Sequence, residues 1–212
     1  MKTRCLVVLM VALALASLAE ADTGFFLTAA GGQSRFRTKY TTRYTDATRS
    51  SVPNAEVNAH DLYWSVGAGL SFTDLLRVTA GYEDWGQTTG SSASATGQIY
   101  PLTVGAKGFY ASYAPMIHVI PLISVDPEVG ILYSDVKLRT NFQSDGDPNI
   151  QSGYTARFRY GIGISVHPPG PFVVGIKYLQ IDLPGAEFKA GSSFFTDKIR
   201  PRVVVLTAQY NF

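Results

Sequence analysis

The sequence predicts an all-β fold, an eight-stranded antiparallel up-and-down transmembrane β-barrel, on the basis of three observations. Long segments alternate between apolar and polar residues, and the segments that join them are alternately long and short. Charged residues make up only 16% of the 212 residues, against about 25% in soluble domains. The chain also has 12 Tyr, 12 Phe and a net charge of +2. This composition is typical of a protein with one face in lipid and argues against a nucleic-acid partner.

The first 21 residues are expected to be a cleavable signal peptide, which leaves 22–212 as the barrel domain. Residues 1–4 are short and basic, residues 5–18 are apolar, and Ala-Glu-Ala at 19–21 forms a small-residue cleavage site. The apolar run is shorter than the roughly 20 residues of a membrane-spanning helix. Cleavage would also remove Cys5, the only cysteine, so we expect neither disulfides nor thiol chemistry in the mature chain.

Period-two alternation of apolar and polar residues identifies the strands. It is clearest over 62–72 and 154–166, where each strand has one apolar and one polar face. Within 100–107 the apolar set at 100, 102, 104 and 106 is expected to face lipid, which would place Lys107 inside. The phase of the first strand is ambiguous. The eight predicted strands are approximately 24–34, 62–72, 76–83, 100–107, 125–134, 154–166, 172–178 and 199–212.

The connections between these strands predict how the barrel lies in the membrane. Long polar gaps are expected at 36–61, 87–98, 140–153 and 184–198, and short turns near 73–75, 114–115 and 167–171. Transmembrane barrels have short periplasmic turns and longer extracellular loops. The apolar run from 111 to 125 is interpreted as two strand ends joined by a turn, because Pro115 and Pro121 disfavour a helix.

The apolar face is assigned to lipid, because an eight-stranded lumen is too narrow for several large side chains from every strand. Aromatic residues are then expected to form two girdles at the membrane interfaces. The residues predicted at the loop ends are Tyr82, Trp85, Tyr100, Tyr133, Tyr154 and Tyr178, and those at the turn ends are Phe72, Tyr110, Phe172 and Phe212.

A network of charged residues is predicted inside the barrel. It consists of Arg77, Glu83, Lys107, Asp126, Glu128, Arg157, Arg159 and Lys177. We expect them to pair with one another, because an unpaired charge in a narrow lumen is costly. The plain interpretation is a polar plug. With five basic and three acidic members, the alternative is a narrow, slightly anion-favouring, porin-like pore gated by those pairs.

The C-terminal strand and three other segments resemble a known family. The last strand alternates through Tyr210 and ends in Phe212, which looks like the assembly signal of bacterial outer-membrane barrels. Segments 61–70, 78–86 and 127–135 resemble the second, third and fifth strands of the OmpA-like outer-membrane β-barrel domain. This resemblance implies a Gram-negative outer membrane, recognition by the barrel assembly machinery and contact with lipopolysaccharide. A periplasmic peptidoglycan-binding domain is not expected.

Catalytic, cofactor and metal sites are not expected from the sequence. His60, His118 and His167 share no metal-like spacing, and neither a phosphate-binding glycine loop nor a basic stripe is present. A lipid-modifying barrel enzyme remains a second alternative, although no nucleophile pattern accompanies His60 near the outer rim.

The function expected from the sequence is a structural or surface-interaction role, carried by the extracellular loops of a monomeric barrel. The first predicted loop is basic and aromatic. It contains Arg37, Lys39, Arg43 and Arg49 together with Tyr40 and Tyr44. Such a loop could contact lipopolysaccharide phosphates or another anionic surface.

Overall fold

A computed structural model describes residues 24–44, 52–73, 75–93, 99–140, 149–183, 187–190, 192–196 and 200–212. The predicted signal peptide lies outside them. Within this part of the chain, no helix is long and apolar enough to cross a membrane. The strands are β1 (Gly24–Tyr44), β2 (Val52–Ser71), β3 (Arg77–Ala93), β4 (Ile99–Tyr113), β5 (Ile117–Ile120), β6 (Ile123–Thr140), β7 (Asn149–Val166), β8 (Phe172–Ile181), β9 (Glu187–Ala190), β10 (Ser192–Thr196) and β11 (Arg202–Asn211).

Eight of these strands close into a barrel, which confirms the predicted fold. The order is β1, β2, β3, β4, β6, β7, β8 and β11, each antiparallel to the next, and β11 pairs back with β1. The closing register runs from Phe26 opposite Asn211 to Arg35 opposite Arg202. Closure matters because a bilayer offers no water to unpaired backbone groups at a sheet edge.

The three remaining strands lie at the two ends of the barrel. Strand β5 folds back on β6 within the connection after β4. The 111–125 run is therefore not helical, as predicted, but it contains an additional short strand instead of a single turn. The β9–β10 hairpin extends the sheet at the far end of β1. We call the end with the 72–76, 114–122 and 167–171 connections and Phe212 the turn end, and the opposite end the loop end.

The strands extend further toward the loop end than the alternation indicated. Strands β1 and β2 pair as far as Thr42 opposite Val52, and β3 and β4 as far as Ala93 opposite Ile99. The expected loops 36–61, 87–98 and 140–153 were therefore too long, whereas the expected loop 184–198 lies within the connection from β8 to β11 and contains the β9–β10 hairpin. Backbone pairing continues beyond the lipid, but there the outer face is no longer selected for apolar side chains, so the alternation fades.

The outer surface carries a broad apolar band that only lipid can cover. Leu206 is 68% exposed and Phe109 is 64% exposed. Exposed aromatic rings mark both limits of the band. Those toward the loop end are Trp64, Phe109, Tyr133, Tyr154 and Tyr178, with the half-buried Tyr82 between Trp64 and Phe109, and those at the turn end are Phe25, Phe172, Tyr210 and Phe212.

Two residues expected in the girdles lie in the lumen instead. Trp85 is wholly buried and Tyr110 is 5% exposed. Trp85 shares the inner face with Glu83, two residues earlier, just before a bulge at Gly86 (φ 78°) shifts the register of β3. Tyr110 was placed outside because the predicted phase of β4 was wrong.

The same error in phase placed Lys107 in the lumen, whereas in the structure Lys107 faces outward. Val104 and Ala106 are buried, whereas Lys107 is exposed. Its cross-strand neighbours are Asp84 on β3 and Asp135 on β6. These three charged residues lie two positions beyond the aromatic girdle along their strands, toward the loop end. At this level polar side chains can face outward and apolar ones inward.

Candidate functional site: the plugged lumen

The half of the lumen nearer the loop end is filled by apolar side chains. Leu132, Leu179, Ile181 and Leu183 are at most 1% exposed. They belong to one buried cluster, which we call the apolar plug. Its other members are Phe36, Tyr63, Trp85, Val104, Ala106, Tyr110, Val136, Val203 and Val205. A purely polar filling was therefore the wrong expectation for this half of the barrel.

An ionic cluster lies directly beneath the plug, and we call it the waist. Arg159, 3% exposed, reaches two carboxylates across the lumen. Its Nε donates to Glu83 Oε2 at 3.0 Å and its Nη1 contacts Glu128 Oε1. Lys177 Nζ donates to Glu128 Oε2 at 2.5 Å. Two cations and two anions thus form an alternating, electrically neutral chain.

Aromatic side chains tie the waist to the plug. Tyr63 OH donates to Glu83 Oε2 at 2.9 Å, and Trp85 Nε1 donates to Glu83 Oε1 at 2.8 Å. The guanidinium of Arg159 lies 4.5 Å from the ring centroid of Tyr110, which is a cation–π distance. The buried Glu83 carboxylate therefore has several donors, as a charge in a low-dielectric site requires.

Tyr110 fits across the lumen because small residues face it. A Cβ atom added to Gly67 would lie 2.5 Å from the Tyr110 hydroxyl, and one added to Gly81 would lie 2.8 Å from its ring. Both glycines lie opposite each other on β2 and β3. The inward glycines predicted from the sequence thus provide space for a ring rather than an open channel.

Below the waist the lumen is polar and holds a small cavity of about 60 Å³. Since one water needs roughly 10–15 Å³ of such space, a few waters would fill it. Asp126 lies on its wall and accepts hydrogen bonds from Ser124 Oγ at 2.7 Å and from Ser165 Oγ. Arg77 donates to Gln209 Oε1 at 2.6 Å.

The structure brings half of the predicted network together. Glu83, Glu128, Arg159 and Lys177 meet in the waist. Asp126 and Arg77 lie nearer the turn end with polar partners, Arg157 lies on the inner face opposite Leu132, and Lys107 is outside. Tyr63 was not predicted as a lumen residue and Trp85 was predicted in a girdle, although the alternation places them on the same face as Ser65 and Glu83, respectively.

The inward charges are balanced in the part of the chain that the structure describes. Asp61 shares the inner face with Tyr63, and Lys107 does not. The inward basic residues are Arg77, Arg157, Arg159 and Lys177, and the inward acidic ones are Asp61, Glu83, Asp126 and Glu128. Four positive and four negative charges remove the excess that suggested an anion preference.

Solved structures with this fold are outer-membrane barrels. OprG of Pseudomonas aeruginosa is similar, with a TM-score of 0.57 and 10% identity over 88% of this chain and 96% of that one. The outer membrane protease OmpT of Escherichia coli has a TM-score of 0.57 and 6% identity over 91% and 98%. Neisserial surface protein A has a TM-score of 0.49 and 14% identity over 89% and 97%. Neither a protein-family model nor a curated protein matches.

At such identities the likeness to OprG and OmpT is a likeness of fold. The lipid-facing surface supplies the second argument, because its exposed leucines, valines and aromatic rings require a hydrocarbon environment. From the fold and this surface together, the chain is an integral outer-membrane β-barrel protein.

Proposed function

We propose that this barrel is closed to ions and serves a structural or surface-interaction role through its loop end, as a monomer of the OmpA-like type. One observation carries the proposal: an apolar plug and a neutral ionic waist are stacked along the same lumen. A permeating ion would have to pass both. The plug is built mainly of apolar side chains that leave an ion poorly solvated, and the waist has no excess charge to attract it.

Opening this lumen would require large rearrangements. Removing one member of a buried ion pair typically costs about 3–5 kcal/mol, and Arg159 contacts two carboxylates. Displacing the Leu132 side chain would add the cost of a cavity in the plug, about 2–5 kcal/mol for a leucine. The bulk of the population is therefore expected to be closed.

Single-barrel conductance in planar lipid bilayers tests the proposal. We expect the wild-type mature chain to insert without steady current. Sustained, discrete conductance steps would contradict the closed barrel and support the narrow-pore alternative. Reversal potentials under a salt gradient would then test selectivity, for which the balanced inner charges predict no anion preference.

The proposed surface role concerns the basic end of β1. Arg37, Lys39 and Arg43 lie on this strand toward the loop end, and Arg49 lies outside the described residues. We expect them to attract lipopolysaccharide phosphates. Replacing all three with Ala should weaken binding of soluble lipopolysaccharide to the barrel in nanodiscs at low salt, whereas Arg202→Ala should not. Equal binding by both variants would contradict this role.

We also propose that the barrel is not an enzyme. A Ser–His contact exists at the turn end, where Ser124 Oγ lies 2.9 Å from His167 Nε2. However, Ser124 is wholly buried and its hydroxyl also binds Asp126, so a lipid ester cannot reach it. Incubation with phospholipid and lipopolysaccharide should release no fatty acid. Release that is abolished by Ser124→Ala would contradict the proposal.

A further inference from the structure

The connection after β4 forms an apolar hairpin at the turn end of the barrel. This β5 hairpin consists of β5, a two-residue turn at 121–122 and the first residues of β6. From 114 to 125 it contains no Asp, Glu, Lys or Arg. Four of its large apolar side chains are between 47% and 65% exposed, namely Ile117, Val119, Ile120 and Leu122. Exposed apolar side chains that are grouped in this way mark a surface that an apolar partner or lipid covers.

Packing on the inner side fixes the direction in which the β5 hairpin presents these side chains. His118 lies opposite Ser124, which is wholly buried on the inner face. The ring of His118 also packs against that of His167, with centroids 4.9 Å apart. Since successive side chains of a strand point to opposite faces, Ile117 and Val119, on either side of His118, point outward.

The outward side of the β5 hairpin continues the lipid-facing band of the barrel. Ile117 lies opposite Val125, which lies opposite Ile164 on β7, and Ile164 is 58% exposed on the lipid side. At the end of β7, Val166 lies opposite Ile123, the first residue of β6, so the turn at 121–122 extends beyond the paired part of β7. The apolar surface of the wall therefore runs onto the hairpin and to its tip.

The backbone of β5 limits how deep this hairpin can lie in the membrane. Within the described residues β5 pairs only with β6, so the N–H and C=O groups along its other edge have no strand partner. Such groups are excluded from the hydrocarbon core, which holds no water, but the headgroup region supplies water to them. Interfacial segments place their backbone there and bury their apolar side chains about 5–10 Å into the boundary with the acyl chains.

We propose that the β5 hairpin is an interfacial membrane anchor. It inserts Ile117, Val119, Ile120 and Leu122 at the boundary between headgroups and acyl chains in the leaflet at the turn end. Continuity with the lipid-facing band favours phospholipid over a second protein as the occupant of this surface. The lack of charged side chains over 114–125 points the same way, because protein–protein interfaces have a polar rim. The anchor sets the depth of the turn end in the membrane.

Depth-dependent quenching of a single tryptophan in phospholipid vesicles tests the anchor. Val119→Trp and Pro169→Trp are each introduced into the mature chain that carries Trp64→Phe and Trp85→Phe. Both positions are exposed at the turn end, but Pro169 belongs to the turn after β7. We expect lipids brominated near the headgroup end of the acyl chain to quench the Val119→Trp indole, at a depth of about 5–10 Å within the boundary. Aqueous iodide should quench only the Pro169→Trp indole.

Trp64 alone, in the Trp85→Phe variant, reports insertion of the barrel itself, so a failure of the anchor is distinguishable from a failure to insert. Iodide quenching of Val119→Trp equal to that of Pro169→Trp would place the hairpin in water and overturn the anchor. Protection of Val119→Trp from both iodide and brominated lipid would show that protein covers the hairpin, and would overturn it as well. Should Val119→Trp lack the heat-modifiable, folded band, Leu122→Trp is measured and judged by the same criteria.

Discussion

The two halves of this barrel use the same strand periodicity in opposite ways. In the half nearer the turn end, apolar residues such as Leu206 face lipid, and polar ones such as Asp126 line the lumen. Beyond the aromatic girdle, Lys107 faces outward while Val104 and Val136 fill the interior. The difference shows that alternation reports the contrast between two environments. The apolar residues move from the outer face to the inner face of the strands where the surroundings of the barrel change from lipid to water and its interior changes from a polar cavity to an apolar plug.

The largest expected effect comes from breaking the boundary between the two halves. Arg159→Ala leaves Glu83 and Glu128 without their shared cation, which should lower the free energy of unfolding by about 3–5 kcal/mol or open the waist to ions. Urea unfolding in lipid and single-barrel conductance measure the two outcomes. Arg202→Ala, at an exposed arginine on β11, is the control. If both variants match the wild type, the ionic waist is not what holds the halves together.

Two leucine truncations compare packing inside the apolar plug with packing on the lipid-facing surface near the turn end. Leu132→Ala should cost about 2–5 kcal/mol, because it leaves a cavity in the plug. Leu206→Ala removes the same atoms from the lipid face, where acyl chains fill the gap, so it should cost no more than about 1.5–3 kcal/mol. Equal or reversed losses in urea unfolding would mean that the plug is loosely packed.

Deleting Phe212 tests the turn end. Its ring is 70% exposed and packs against Phe25, with centroids 5.2 Å apart. Loss of one interfacial ring should cost only about 1.5–3 kcal/mol, too little to unfold the barrel. We nevertheless expect a sharp fall in the folded fraction in outer-membrane preparations, with export unchanged, because the assembly machinery would no longer recognise the terminus. Equal folded fractions would contradict an assembly signal at Tyr210 and Phe212.

The smallest effect is expected at Lys107. Although Asp84 and Asp135 flank it, it is exposed, and surface ion pairs are worth about 0–1 kcal/mol. Lys107→Ala should therefore leave urea unfolding nearly unchanged. A loss of unfolding free energy as large as that of Arg159→Ala would indicate that Lys107 faces the lumen, as the alternation within 100–107 predicted.

The sequence predicted the half of the barrel nearer the turn end well and the half nearer the loop end poorly, and the reason is physical. Along 62–70 of β2 and 154–166 of β7 one face meets lipid, so apolar residues mark the outside. On β4, Val104 and Ala106 are apolar because they pack in the plug, and local pattern cannot distinguish that from lipid. Similarly, no spacing rule links His118 to His167, because only barrel closure and the β5 hairpin bring them together.

The two tryptophans test the reversal most directly, because the chain has only two and they lie in opposite environments. Trp64 is 41% exposed on the lipid side, whereas Trp85 is wholly buried in the plug. Trp64→Phe and Trp85→Phe leave one reporter each in lipid vesicles. We expect brominated acyl chains to quench Trp64, and neither brominated lipid nor aqueous iodide to quench Trp85. Quenching of Trp85 by iodide would show a water-filled lumen, and quenching by brominated lipid would show that it faces outward; either result would contradict the plugged barrel.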